Sequence, residues 1–172
     1  MASSINGIVI YKSRYGATQQ YGEWIANELR LPVVTPERLD DRILTACDFL
    51  IIGAPVYMGK ILLKDWLKHE VKNLRNKKLF FFIVCAPTSE TAQQKEIIKD
   101  NIPMALMACS EITFLPGRTI IKDLSTVDGL MLKIGSRLEK DPAKKAAMSH
   151  DIDAVKKENI TELLKDVKAF FG

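Results

Sequence analysis

Three short segments, each directly after a β-rich run, carry the groups in this sequence whose types and spacing suit chemistry. The first is Lys12-Ser13-Arg14-Tyr15-Gly16-Ala17-Thr18. Ser13 and Thr18 supply hydroxyls, Gly16 lets backbone amides turn toward a ligand, and the amphipathic stretch that follows predicts Thr18 as a helix N-cap. Such a loop at a helix N-terminus suits a phosphate, because unpaired N–H groups and the helix dipole both favour an anion. Capping alone would also account for the hydroxyls. The second segment, Ala54-Pro55-Val56-Tyr57-Met58-Gly59-Lys60, offers a ring that can stack on a planar group and, at Gly59, freedom to change backbone hydrogen bonding. The third, Ala86-Pro87-Thr88-Ser89-Glu90, holds small and polar groups, with Ser89 as a further helix cap.

Loops act together only if the chain brings them to one place, and the elements between them say that it does. Gly7–Tyr11, Val33–Thr35, Phe49–Gly53, Lys78–Cys85 and Glu111–Leu115 read as strands. Phe49 to Ile52 and Leu79 to Val84 are continuously apolar, as central parallel strands covered on both faces should be. Tyr21, Ile25 and Leu29 recur every four residues, and Leu63, Trp66, Leu67, Val71 and Leu74 mark the inner face of another helix. A third helix is predicted from about Glu90 to Ala108, broken by Pro103, and a last one over Ile152–Phe171. Strands alternating with helices imply right-handed crossovers and a doubly wound parallel sheet. In such sheets ligands sit beyond the carboxyl ends of the strands, where all three loops fall. A phosphate loop beside an aromatic loop describes a mononucleotide site for a flat heterocycle.

Composition narrows the class of protein. The chain has 172 residues, 47% hydrophobic and 27% charged, enough to bury roughly 70% of its unfolded surface without metal or disulfide staples. No apolar run approaches the ~20 residues needed to span a bilayer, and the first residues lack the pattern of a signal peptide, so a cytoplasmic protein is expected. Cys47, Cys85 and Cys109 form no Cys-x-x-Cys pair and read as reduced thiols in apolar surroundings. His69 and His150 are too few and too far apart for a zinc cluster, so no metal site is expected. The net charge of +4 comes from interspersed charges, without the basic, aromatic-laced stripe of a nucleic-acid binder. A Walker-type reading of Gly53 to Ile61 fails on glycine spacing and on Ile61 where a hydroxyl is needed. A phospho-receiver reading fails because Tyr11-Lys12-Ser13 stands where clustered acids should.

With those residues in view, a family resemblance follows. Ile8-Val9-Ile10-Tyr11-Lys12-Ser13-Arg14-Tyr15-Gly16-Ala17-Thr18 resembles the phosphate loop of flavodoxins, whose pattern is Ser/Thr-x-Thr-Gly-x-Thr. Ile51-Ile52-Gly53-Ala54-Pro55-Val56-Tyr57-Met58-Gly59-Lys60 is similar to the second flavin loop of flavodoxin-domain proteins with a Gly-Ser-Pro-x-Tyr-x-Gly-Lys/Arg variant. The order of the five strand and helix units fits as well, so the resemblance covers nearly the whole chain. It implies one flavodoxin-like domain over residues 1–172, a three-layer α/β/α fold with five parallel strands in the order 2-1-3-4-5, and non-covalent FMN. It further implies that Ser13, Tyr15, Gly16, Ala17 and Thr18, with Arg14 in the same loop, surround the phosphate. Pro55, Val56, Tyr57, Met58 and Gly59 would line one face of the isoalloxazine, and Ala86, Pro87, Thr88 and Ser89 its other edge. No catalytic residue is assigned.

Two features depart from electron-carrier flavodoxins, which are acidic and usually carry a tyrosine in the third loop. This chain is basic, and Ala86-Pro87-Thr88 has none. Residues 118–147 also form an insertion relative to a minimal doubly wound domain. Within it Val127, Leu130, Met131, Ile134 and Leu138 recur at helical spacing, flanked by Lys133, Arg137 and Lys140. This helix would either cover the sheet edge or serve as a docking surface. The insertion and the Asp151-Ile152-Asp153 stretch after it resemble the menaquinone-dependent protoporphyrinogen oxidases, flavodoxin-like enzymes that pass electrons from a porphyrinogen through FMN to a quinone. That resemblance implies a quinone or a redox protein as electron partner, an acidic small-molecule substrate and peripheral membrane contact. The alternative is a diffusible electron-transfer flavodoxin with no substrate of its own.

Overall fold

A computed structural model describes residues 6–86 and 91–171 of the chain. Its sheet is built on β1 (Gly7–Tyr11), β2 (Val33–Val34) and β3 (Phe49–Tyr57), with α1 (Ala17–Leu29) and the short α2 (Asp41–Ala46) as the connections between them. A two-residue strand, β4 (Lys60–Ile61), folds back antiparallel on the end of β3. Then come α3 (Lys64–Leu74), β5 (Lys78–Cys85), α4 (Thr91–Asn101), the one-turn α5 (Met104–Met107) and β6 (Ser110–Pro116). The parallel strands lie in the order β2-β1-β3-β5-β6. Without the β4 hairpin strand, that is the expected 2-1-3-4-5.

The apolar runs split across the two faces of the sheet because successive side chains in a strand point to opposite sides. Ile8, Ile10, Leu50, Ile52, Phe81 and Ile83 pack with Leu67 and Leu74 of α3, Ile97 of α4 and Leu106 of α5. Val9, Phe49, Ile51, Phe80 and Phe82 pack on the other side with Tyr21 and Ile25 of α1 and with Leu163 and Val167 of the last helix. Each face is therefore sealed, as the continuous apolar sequences require. Pro103 separates α4 from α5, in line with the proline in the sequence.

After β6 the chain leaves the sheet. β7 (Arg118–Thr119) pairs antiparallel with β8 (Ile152–Asp153), and between them lie α6 (Thr126–Leu138) and α7 (Pro142–Ala147); α8 (Thr161–Phe171) follows. The last helix thus begins nine residues later than the sequence predicts. Ile152 and Asp153 are committed to the ladder with β7, and the acidic residues around them bind locally: Asp151 accepts a hydrogen bond from the Ile121 N–H at 2.8 Å, and Asp153 one from Arg118 at 2.8 Å. Side-chain to backbone bonds of this kind compete with helix. The apolar row of α6 does not cover the sheet edge either. Val127, Leu130, Met131, Ile134 and Leu138 are all exposed, and the buried residue of α6 is Asp128. No helix among the described residues is long and apolar enough to cross a membrane.

Candidate functional site

The first loop leaves β1 and enters α1 through Gly16, whose φ of +82° is left-handed and suits glycine. The Gly16 N–H donates to Ser13 Oγ at 3.1 Å, closing the turn. Gly16 is thus the N-cap, and Thr18, expected there, is the second residue of the helix. The reason is conformational: the left-handed turn at Gly16, braced by Ser13, starts the helix early, and no side chain caps its first amides. The first helical backbone bond runs from the Gln20 N–H to the Gly16 carbonyl at 3.0 Å. The N–H groups before it have no acceptor within the helix. Thr18 is 1% exposed and its Oγ1 is buried without a hydrogen-bond partner. A buried unpaired hydroxyl next to free first-turn amides is an arrangement completed by an anion.

The second loop is the β3–β4 turn. Met58 and Gly59 both have positive φ, +50° and +74°, the pattern of a tight hairpin between paired strands. Its hold on the fold comes from a residue absent from the sequence-based candidates. Asn101, at the end of α4 and 2% exposed, accepts from the Ile61 N–H at 3.0 Å and donates to the carbonyls of Gly59 and Ile97 at 3.0 and 2.9 Å. No motif marks Asn101; its burial comes from α4 closing over the hairpin. Of the third loop, Ala86 is exposed at the end of β5, and Pro87, Thr88 and Ser89 fall outside the described residues.

The first two loops meet at Asp128, the other residue missed from sequence. Arg14 Nε and Nη2 donate to Asp128 Oδ2 at 3.0 and 2.8 Å, the Tyr15 hydroxyl donates to the same oxygen, and the Tyr57 hydroxyl donates to Oδ1. The guanidinium carbon of Arg14 stands 4.1 Å from the centre of the Tyr57 ring and 5.6 Å from that of Tyr15, within cation–π range. One face of Tyr57 is therefore taken by Arg14. Hydrogen bonds from Tyr15 and Tyr57, together with the bond and charge of Arg14, hold the Asp128 carboxyl at about 2. The hydrogen bond to Asp128, followed by desolvation, raises the pKa of Tyr57 above the ordinary tyrosine value. The cluster is a charged carboxylate fully supplied with donors.

Asp128 did leave a sequence signal. Ser125-Thr126-Val127-Asp128 has the spacing of a capping box, in which the fourth residue normally turns back to the N–H of the first. Here only half of the box closes. Ser125 Oγ accepts from the Asp128 N–H at 3.2 Å, but the Asp128 carboxylate faces the loops, and the Ser125 N–H donates to the Tyr15 hydroxyl at 3.3 Å.

A model of the flavodoxin domain matches residues 8–146. The chain belongs to the flavodoxin domain family. FMN is the cofactor of that family, and the residues of the first loop fit it: the unpaired Thr18 hydroxyl, the Ser13–Gly16 turn and the first amides of α1 are groups that would hold its phosphate. Solved structures similar to this chain include a WrbA-like flavodoxin from Agrobacterium tumefaciens, 20% identical over 73% of this chain and 88% of that one, with a TM-score of 0.47. A flavodoxin from the domain Archaea is 17% identical over 78% and 99%, with a TM-score of 0.45. A flavoprotein in complex with FMN from Lactobacillus acidophilus is 15% identical over 66% and 93%, with a TM-score of 0.46. A search of curated proteins returned no match. Among the described residues no group of histidine, cysteine or acidic side chains is placed to hold a metal ion.

Proposed function

We propose that the chain is a single flavodoxin-like domain, with an insertion at about residues 118–147, that holds FMN non-covalently and works as a cytoplasmic oxidoreductase of the protoporphyrinogen-oxidase type or a close relative. FMN supplies electron transfer between a reduced substrate and an acceptor. Ser13, Gly16, Ala17 and Thr18 bind its phosphate, Arg14 and Tyr15 close that loop, and Pro55, Val56, Tyr57, Met58 and Gly59 orient the ring. Ala86, Pro87, Thr88 and Ser89 complete its far edge.

One observation carries the reading beyond a plain electron carrier. The insertion helix α6 is fastened through Asp128 to both flavin loops, while its apolar row stays exposed, Val127 at 65% and Leu138 at 75%. Lys133, Arg137 and Lys140 flank that row. An apolar surface beside the flavin with basic residues around it suits an acidic, largely apolar substrate such as a tetrapyrrole, a quinone acceptor, or an anionic membrane in which the quinone resides. Each basic residue near such a membrane contributes on the order of 1 kcal/mol, so attachment is weak and salt-sensitive.

The test is reconstitution with FMN, followed by assay of quinone-coupled porphyrinogen oxidation and of binding to anionic vesicles. Replacing Lys133, Arg137 and Lys140 by Gln leaves FMN bound but abolishes both. The second reading, a diffusible electron-transfer flavodoxin, is supported by the small size of the chain. Rapid electron exchange with a flavodoxin reductase, without porphyrinogen oxidation or vesicle binding in the parent protein, establishes it instead.

A further inference from the structure

Helix α6 is held in an unusual way. Its apolar side chains other than the half-buried Leu132 are exposed, and a cleft of about 730 Å³ opens beside it, lined in part by Leu124, Leu130, Lys133, Arg137 and Met148. Hydrophobic burial therefore does little to seat it. Its side-chain hydrogen bonds to the two loops assigned to the flavin converge on one residue, Asp128, whose partners there are Arg14, Tyr15 and Tyr57. A buried carboxylate is costly unless its lone pairs are filled. Arg14, Tyr15 and Tyr57 fill them, so each is drawn to the position that Asp128 dictates.

We propose that Asp128 is a positioning residue: it clasps the insertion onto the two flavin loops, fixes Arg14 against the face of Tyr57, and makes access to the flavin ring depend on opening that clasp. The ligand in this statement rests on the FMN reading above, whereas the clasp itself does not. A plain structural tie would not need to draw donors from both loops at once. The clasp also explains why the capping box at Ser125 is left half closed, since the carboxylate that would finish it is committed elsewhere.

The experiment compares the wild type with Asp128→Asn, which keeps an acceptor oxygen and the shape, and with Asp128→Ala. In the apo-protein, trypsin can cut the segment after Lys122, Lys133, Arg137 and Lys140. Cleavage there is expected about tenfold faster in Asp128→Ala and less so in Asp128→Asn. Alkaline absorbance titration reads the Tyr57–Asp128 bond directly: one tyrosine ionises at lower pH in both variants, and the difference vanishes in a Tyr57→Phe background. In the FMN complex, iodide quenches flavin fluorescence more strongly and FMN associates faster in the variants. Unchanged trypsin cleavage in both variants overturns the clasp. Faster cleavage with unchanged iodide quenching and FMN association overturns its role in access. If the wild type binds no FMN, the flavin reading and the access role fall together, while the trypsin and tyrosine measurements still decide the clasp.

Discussion

The Arg14 guanidinium lies 4.1 Å from the centre of the Tyr57 ring and is kept there by the carboxylate that both residues share. Arg14 and Tyr57 are 43 positions apart in sequence, and Asp128 is farther still, so the contact reports the closed arrangement of the insertion on the loops. It has a measurable consequence in acid. The Asp128 carboxyl is held at about 2, below its ordinary 3.8, by the hydrogen bonds of Tyr15 and Tyr57 and by Arg14. A carboxyl whose pKa is lower folded than unfolded contributes stability that is complete above the unfolded value and lost as pH falls through the folded one. The denaturant midpoint of the wild type should therefore fall more steeply between pH 4 and about pH 2 than that of Asp128→Asn. Parallel curves in that window would show the carboxylate unpaired in solution. Glu37, paired with Lys12 and also held at about 2, contributes a background slope common to both proteins.

A second prediction concerns the centre of the sheet. Gly53 in β3 is in register with Phe82 of β5, and a Cβ at Gly53 would fall 1.9 Å from the Phe82 ring. Phe82 is fully buried, so the ring has nowhere to go. Gly53→Ala should cost about 3 kcal/mol or more, at the upper end of overpacking effects. Gly16→Ala meets no atom within 4 Å and pays only for its left-handed backbone, ~1–2 kcal/mol. Chemical denaturation of the two variants checks the order; equal losses would mean that Phe82 can move aside.

What was legible in the sequence depends on range. The strands follow from apolar runs separated by helical periods, both local patterns, and Lys78–Cys85 was bounded as observed, whereas their order in the sheet came from the family resemblance. The turn that opens α1 was legible because Ser13, Gly16 and Thr18 fall within a single short segment. Thr18 was assigned one role too far out, because a hydroxyl at a helix start reads the same in the cap or in the first turn, and only the left-handed φ at Gly16 separates them. Asp128 and Asn101 were missed because their partners are brought by tertiary packing: Asp128 reaches residues more than 70 positions away, and Asn101 reaches 40 to 42. The apolar row of α6 was correctly periodic, but of its two expected roles the exposed row does not play that of edge cover, since periodicity defines a face without saying what meets it.

Asn101 supplies a prediction about the second loop. Its amide is buried and makes three hydrogen bonds, two of them to the β3–β4 hairpin and its flank. Asn101→Asp keeps the acceptor for the Ile61 N–H but replaces the donors to Gly59 and Ile97 with oxygen, which leaves buried carbonyls facing a carboxylate. The loss should be about 2–3 kcal/mol. Hydrogen exchange at Met58, Gly59 and Lys60 should accelerate more than at the core strand β5. Uniform acceleration would show that Asn101 supports the whole fold rather than the hairpin.

The last prediction separates the cost of the buried Thr18 hydroxyl from the benefit proposed for it. Thr18 Oγ1 is buried without a partner, and such a group carries a desolvation penalty of ~1–3 kcal/mol when nothing satisfies it. Val has the shape of Thr without the hydroxyl, so Thr18→Val should leave the apo-protein as stable as the wild type or more so, by up to about 1 kcal/mol. The flavin complex should respond the opposite way. A hydrogen bond to a charged phosphate is worth ~1.5–3 kcal/mol, so FMN should bind about ten- to a hundredfold more weakly to Thr18→Val, while riboflavin, which lacks the phosphate, is hardly affected. Thermal melting of the apo-protein and fluorescence titration with both flavins read the two halves independently. A destabilised apo-protein would mean that the hydroxyl already has a partner in the fold. Equal losses for FMN and riboflavin would place the phosphate away from the start of α1.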